Sequence, residues 1–68
     1  MSKGDLINVA DLTGYLISNG YTRLGQAMEP GDFAVRGSII DVYPAEAECP
    51  VRVDLFGDEV DEIKILGN

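Results

Sequence analysis

Histidine and tryptophan are absent from this 68-residue chain, cysteine occurs once, at Cys49, and lysine and arginine together number five. Each scarcity removes a class of function. Without histidine, a histidine-based nucleophilic triad is impossible. With one cysteine and no histidine, a zinc site of the usual nitrogen and sulfur ligands cannot be assembled. A single cysteine also gives no disulfide framework. Cys49 precedes Pro50 where a strand should begin, and reads as a half-buried apolar filler rather than a reactive thiol. No apolar run is long enough to span a membrane. Met1 to Asp5 carries one lysine but no apolar stretch behind it, unlike a secretory signal. The glycines form neither a phosphate-cradling loop nor a dinucleotide fingerprint, so no cofactor is expected. A reducing, cytoplasmic setting fits these features.

Carboxylates, by contrast, are abundant. Twelve aspartates and glutamates against five basic residues give a net charge of −7. That balance repels phosphate backbones, and direct nucleic-acid binding is not expected. The apolar fraction, 46%, is ordinary for a folded protein. The length suits one domain of thin stability margin, since so small a domain buries roughly 60% of its unfolded surface. The abrupt ends suggest a piece of a longer chain.

The first third has helical spacing. Val9, Leu12 and Leu16 recur on one face, with Tyr15 and Ile17 beside them. Asn8 suits the N-cap, and Asp11 three positions later suits a capping box. Asn19-Gly20 is a stop signal. Gly14 weakens the helix by about 1 kcal/mol relative to alanine, so it must pack against something to persist.

The remainder reads as antiparallel strands: Tyr21–Leu24, Phe33–Arg36, Ser38–Tyr43, Val51–Phe56 and Glu59–Leu66, with Gly67-Asn68 trailing off. Glu29-Pro30-Gly31-Asp32 is a turn, Gly37 marks a bulge or tight bend, and Ala45–Pro50 is a loop. Gly57-Asp58 suits a two-residue type II′ hairpin. One helix followed by meandering strands predicts an α+β domain, a helix packed on a mainly antiparallel sheet of about five short strands. Val51, Val53 and Leu55 should share a core face with Phe33, Val35 and the apolar helix positions. The last strand is less regular, because Val60, Ile63 and Ile65 do not all fall on one face.

Two clusters are candidates for chemistry. Asp58-Glu59 with Asp61-Glu62 could serve a paired-carboxylate hydrolase, or could be a solvated hairpin rim guarding an exposed edge strand; its spacing does not match an EF-hand. The arginines fall in strands. Arg36 lies opposite Phe33 and Val35, while Arg52 and Asp54 alternate with Val51, Val53 and Leu55. These residues, with Asp41, should occupy the outer face of the sheet. There they form either weak cross-strand ion pairs or a polar docking face in which arginine recognises carboxylates. On the second reading, reversing either arginine should spare folding. A docking module and a small stand-alone carboxylate-based hydrolase are the two readings the residues alone leave open.

Three stretches in order narrow that choice. They are Gly20-Tyr21-Thr22-Arg23; Glu29-Pro30-Gly31-Asp32-Phe33-Ala34-Val35-Arg36-Gly37 with Ile39-Ile40-Asp41-Val42-Tyr43-Pro44; and Val51-Arg52-Val53-Asp54-Leu55-Phe56-Gly57-Asp58-Glu59. Together they resemble the UvrB-homology, UvrA-binding module of bacterial transcription-repair coupling factors (Mfd), over Gly20 to Ile65. UvrB has a related segment, but tends to carry a further arginine where this chain has Ala34. Gly25 and Ser38 depart from the family's commoner aspartate and glycine, which bears on loop geometry. The resemblance implies a single non-catalytic module, residues 1–68, whose partner is the protein UvrA. By position it assigns Arg36, Arg52 and Asp54 to the UvrA-contacting face, and Arg23 less directly. It implies a parent that is an ATP-dependent DNA translocase, reaching DNA and RNA polymerase only through other parts. An equivalent module of UvrB is the neighbouring alternative.

Overall fold

A computed structural model describes residues 2–67; Met1 and Asn68, and with Asn68 the last residue of the expected trailing end, lie outside the described residues. Helix α1 spans Val9–Ser18. Asn8 has extended backbone angles, and its side-chain oxygen accepts a hydrogen bond from the Asp11 N–H at 3.0 Å, satisfying a donor the helix leaves orphaned. The stop is a Schellman arrangement. Gly20, at φ +87°, donates to the Ile17 carbonyl, and Tyr21 donates to the Leu16 carbonyl.

Five strands follow: β1 Thr22–Arg23, β2 Asp32–Arg36, β3 Ile39–Val42, β4 Val51–Phe56 and β5 Glu59–Ile65. They form one sheet in the order β1-β2-β3-β4-β5. The fold is thus the α+β arrangement that the sequence predicts. The last four strands are antiparallel neighbours, joined at Gly37-Ser38 and Gly57-Asp58 by two-residue hairpins. In each hairpin the first central residue is a glycine of positive φ, +59° and +64°, and the second is not, as a type II′ turn requires.

β1 differs from expectation by running parallel to β2. Two reversals separate these strands. The chain bends at Gly25-Gln26 and turns again at Glu29–Asp32, where Asp32 N–H donates to the Glu29 carbonyl and Gly31 has φ +94°. Two reversals restore the original direction. The Asp32 carboxylate fastens the second by accepting from the N–H groups of Met28 and Glu29. The long loop after β3 is held by two tyrosines: Tyr21 hydroxyl accepts from Ala45 N–H, and Tyr43 hydroxyl donates to the Glu48 carbonyl.

Helix α1 covers one face of the sheet. The register aligns Val35, Ile40, Val53 and Ile63 across it, and Phe33, Val42, Val51 and Ile65 beside them. Ile40, Val53, Leu55 and Val60 form the central cluster, with Val9, Leu12 and Val35 packed against it. Phe33 is fully buried, and Leu16 is buried from the helix. The helix reaches only part of the sheet, leaving Tyr15, Ile17 and Ile65 exposed.

The irregularity expected in β5 has a structural resolution. Asp54 pairs with Glu62, but Leu55 pairs with Val60, so Asp61 is an extra residue in a β-bulge. One added residue shifts the two-residue side-chain period by one step. Val60, Ile63 and Ile65 therefore do share the helix-facing side.

Candidate partner-docking face

The opposite face is built by the alternate residues of the same strands. Ala34 lies beside Asp41, Asp41 beside Arg52, and Arg52 beside Lys64; Ile39 lies beside Asp54, Asp54 beside Glu62; Phe56 lies beside Glu59. The sequence predicts Arg36, Arg52, Asp54 and Asp41 on this face, and the register brings all four to it. Arg23 does not join them. It pairs with Phe33 on the edge strand β1, which puts it on the helix-facing side, exposed at the rim.

Asp41 organises the face. It is the buried charged residue of the described chain, 4% exposed, at the centre of the sheet. Its Oδ1 accepts from Arg52 Nε at 2.8 Å, and its Oδ2 accepts from Arg52 Nη2 at 3.1 Å. This is the forked geometry in which a guanidinium meets a carboxylate most strongly. Arg36 reaches diagonally from β2, with Nη2 3.4 Å from the same Oδ2. The Arg52 hydrogen bonds hold the Asp41 carboxyl below the usual carboxylate range, against the opposing effect of burial, and the charges of Arg52 and Arg36 act in the same lowering direction. Arg52 is raised in turn, through its hydrogen bonds to Asp41 and then by the field of Asp41.

The two arginines are therefore anchored at one end and open at the other. Their side chains are 55% and 31% exposed for Arg36 and Arg52. A guanidinium has five donors, and Arg52 directs two groups at Asp41, which leaves N–H groups turned to solvent. Asp54 forms no ion pair among the described residues. The sequence reading missed Phe56, the last residue of β4, whose side is fixed by its pairing with Glu59 and which is 80% exposed. The alternation of β4 was a sufficient signal, since Phe56 follows Arg52 and Asp54 at a spacing of two. An exposed aromatic ring beside arginines is a combination that protein interfaces use.

Among the described residues no group of three or more carboxylates and cysteine could hold a metal ion. Asp58, Glu59, Asp61 and Glu62 are all exposed around the β4–β5 hairpin. No helix is long and apolar enough to cross a membrane.

The sequence model of the UvrB interaction domain matches residues 1–67. The chain belongs to the UvrB interaction domain family. It is 38% identical over 66 residues to the transcription-repair-coupling factor of Escherichia coli K12, covering 97% of this chain and 6% of that protein. It is 44% identical over 61 residues to the coupling factor of Bacillus subtilis 168, covering 90% of this chain and 5% of that protein. It is 48% identical over 64 residues to UvrABC system protein B of Burkholderia mallei, covering 93% of this chain and 9% of that protein. The domain thus spans less than a tenth of the length of each of these relatives, and it resembles both kinds. A UvrB interaction domain is a unit of protein–protein contact and not a catalytic one, in keeping with a face made of held arginines and an exposed ring.

Proposed function

We propose that this domain recruits UvrA, the damage-recognition ATPase of nucleotide excision repair, and that it does so in the cytoplasm as a module of a transcription-repair coupling factor. The observation that carries this reading is the grouping of Arg36, Arg52 and Phe56 on one sheet face, with Asp41 holding both guanidiniums in place. Arginine and aromatic residues dominate the energetics of protein interfaces, above all when already held in their bound geometry. The open N–H groups of Arg36 and Arg52 suit carboxylates or carbonyls of UvrA, Phe56 suits an apolar pocket, and Asp54 suits a cationic group. The resemblance of the central blocks to the coupling factor's UvrA-binding module supports the choice of partner. DNA and RNA polymerase would be engaged by other parts of the parent protein.

The test is calorimetric titration of the purified chain against UvrA, with a urea melt for each variant. Arg36 is the decisive position, because its side chain is more exposed than that of Arg52 and its contact with Asp41 is the longer one. Arg36→Glu should weaken UvrA binding at least about tenfold while moving the urea midpoint little. UvrA binding of parental strength by both Arg36→Glu and Phe56→Ala would show that this face is not the docking surface.

A further inference from the structure

Asn19-Gly20 ends helix α1, and it also sets side by side two groups that can react with each other: the Asn19 side-chain amide and the Gly20 backbone nitrogen. Asparagine is among the thermolabile residues, and a following glycine, lacking a side chain, shields its own nitrogen least. The stop demands that glycine, since Gly20 has φ +87°. In the folded chain both reacting groups are engaged. Asn19 Nδ2 donates to the Tyr15 carbonyl at 2.8 Å, and Gly20 N–H donates to the Ile17 carbonyl at 3.0 Å. Asn19 has ψ 16°, which holds its Cβ and the Gly20 nitrogen well away from the eclipsed arrangement that ring closure needs. Both residues are exposed, so water and base reach them. The end of a helix opens at a lower free energy than the core of a domain.

We propose that Asn19 is a site of spontaneous deamidation, latched by the helix stop in the folded domain and released when the last turn of α1 opens. Once the turn opens, the Gly20 nitrogen gives its proton to base and attacks Asn19 Cγ. An N–Cγ bond forms, the Cγ–Nδ2 bond breaks, and Nδ2 leaves as ammonia after taking a proton from water. Water then opens the five-membered imide, adding hydroxyl to one of its carbonyl carbons and a proton to its nitrogen. The product is aspartate, or isoaspartate, in which the main chain runs through the side-chain carbon. No oxidant or reductant is consumed. Either product hinders reclosure. Aspartate loses the bond to Tyr15 and places a carboxylate at the C-terminus of α1, where the helix dipole opposes it and the last turn carries no basic residue. Isoaspartate adds a methylene to the main chain, which displaces the Gly20 and Tyr21 N–H groups from the Ile17 and Leu16 carbonyls. Tyr21 also steadies the loop after β3 through its hydroxyl and Ala45 N–H, so the damage passes from the helix end to the sheet. An opening that is transient in the fresh chain becomes permanent.

The proposal is independent of the UvrA-docking face, and its test uses the chain alone. The purified chain is held at mildly alkaline pH with and without urea, beside a peptide of Tyr15–Leu24 blocked at both ends, and conversion is located by mass spectrometry of proteolytic fragments. Asn19 should convert at least about tenfold more slowly in the folded chain than in the unfolded chain or the peptide. The converted chain, separated by ion exchange, should melt at lower urea and exchange its Gly20 and Tyr21 amides at least about tenfold faster than the parent. Asn19→Asp, made directly, should show a smaller loss of the same kind. Three results would overturn the proposal: conversion of the folded chain at the peptide's rate, which would mean that the stop is no latch; conversion in urea that is absent at Asn19 or slower there than at Asn8; or a converted chain whose urea midpoint and Gly20 and Tyr21 exchange match the parent's.

Discussion

Asp41 and Arg52 face each other across β3 and β4 and are joined by two hydrogen bonds, 2.8 and 3.1 Å long. Their union revises what a charge reversal at Arg52 does. Arg52→Glu sets a second carboxylate against a buried one, so it should destabilise the domain clearly, whereas Arg36→Glu should not. Asp41→Asn added to Arg52→Glu should recover part of the loss, because it removes one of the opposed charges. Urea melts of the three chains check this ranking. Equal midpoints for Arg52→Glu and Arg36→Glu would count against a structural role for the pair.

The same carboxylate sets a pH dependence. The Asp41 pKa is lowered in the folded chain, chiefly by the Arg52 hydrogen bonds. A depressed carboxylate contributes stability that is fully present above its unfolded value, about pH 4, and is lost as the pH falls through the native value. The urea midpoint should therefore fall as the pH is lowered below about 4. Asp41→Asn should start lower at neutral pH and fall less steeply over that range. Parallel profiles would mean that the other carboxylates carry the whole effect.

Val53 and Val60 are 3% and 0% exposed and lie on the two sides of the β4–β5 ladder. Val53→Ala and Val60→Ala should each cost about 1–3 kcal/mol, through lost burial and a residual cavity. Ile65→Ala, at an exposed position, should cost no more than about 0.5 kcal/mol. A Val60→Ala chain as stable as the parent would contradict the bulge, which is what turns Val60 inward.

Deleting Asp61 should be tolerated, since Val60 and Glu62 would then continue a regular ladder opposite Leu55 and Asp54. Deleting Lys64 should be tolerated less well, because it would send Ile65 to the charged face and break the Lys64–Glu62 pair. Amide spectra of the two deletion chains distinguish the outcomes. A well-dispersed spectrum for the Lys64 deletion alone would refute the assigned register.

Phe56→Ala should leave the urea midpoint close to the parent, because the ring is 80% exposed. If the outer face docks UvrA, the same change should weaken that complex at least about tenfold, since a buried aromatic anchor is a common hot spot. Calorimetric titration beside the melt reads both effects.

The helix, its caps, the five strands and the two faces of the sheet follow from local patterns in the chain. Asn8 and Gly20 act through neighbours a few residues away, and Val51 to Phe56 alternates without interruption. What escaped depended on residues far apart. The parallel course of β1 depends on two successive reversals between Leu24 and Asp32, and only one carried a Pro-Gly signal. The bulge at Asp61 is defined by the partner strand, so β5 by itself looks irregular. Arg36, Arg52 and Asp54 were placed on the outer face by counting, but Asp41 as the buried hub required knowing that β2 and β4 flank β3. Arg23 was drawn into the candidate face by family resemblance, and its register places it elsewhere.

Because Asp41 grips Arg52 before any partner arrives, the freedom of that long side chain is lost during folding and not at association. An arginine waving in water would have to be ordered by the complex itself. Here the sheet delivers it already oriented, with its unused N–H groups facing outward. Binding through this face should accordingly show a smaller entropic penalty than its charge and side-chain length suggest. Releasing the grip with Asp41→Asn should shift the calorimetric signature toward a less favourable entropy, even though Asp41 itself lies too deep to touch another protein.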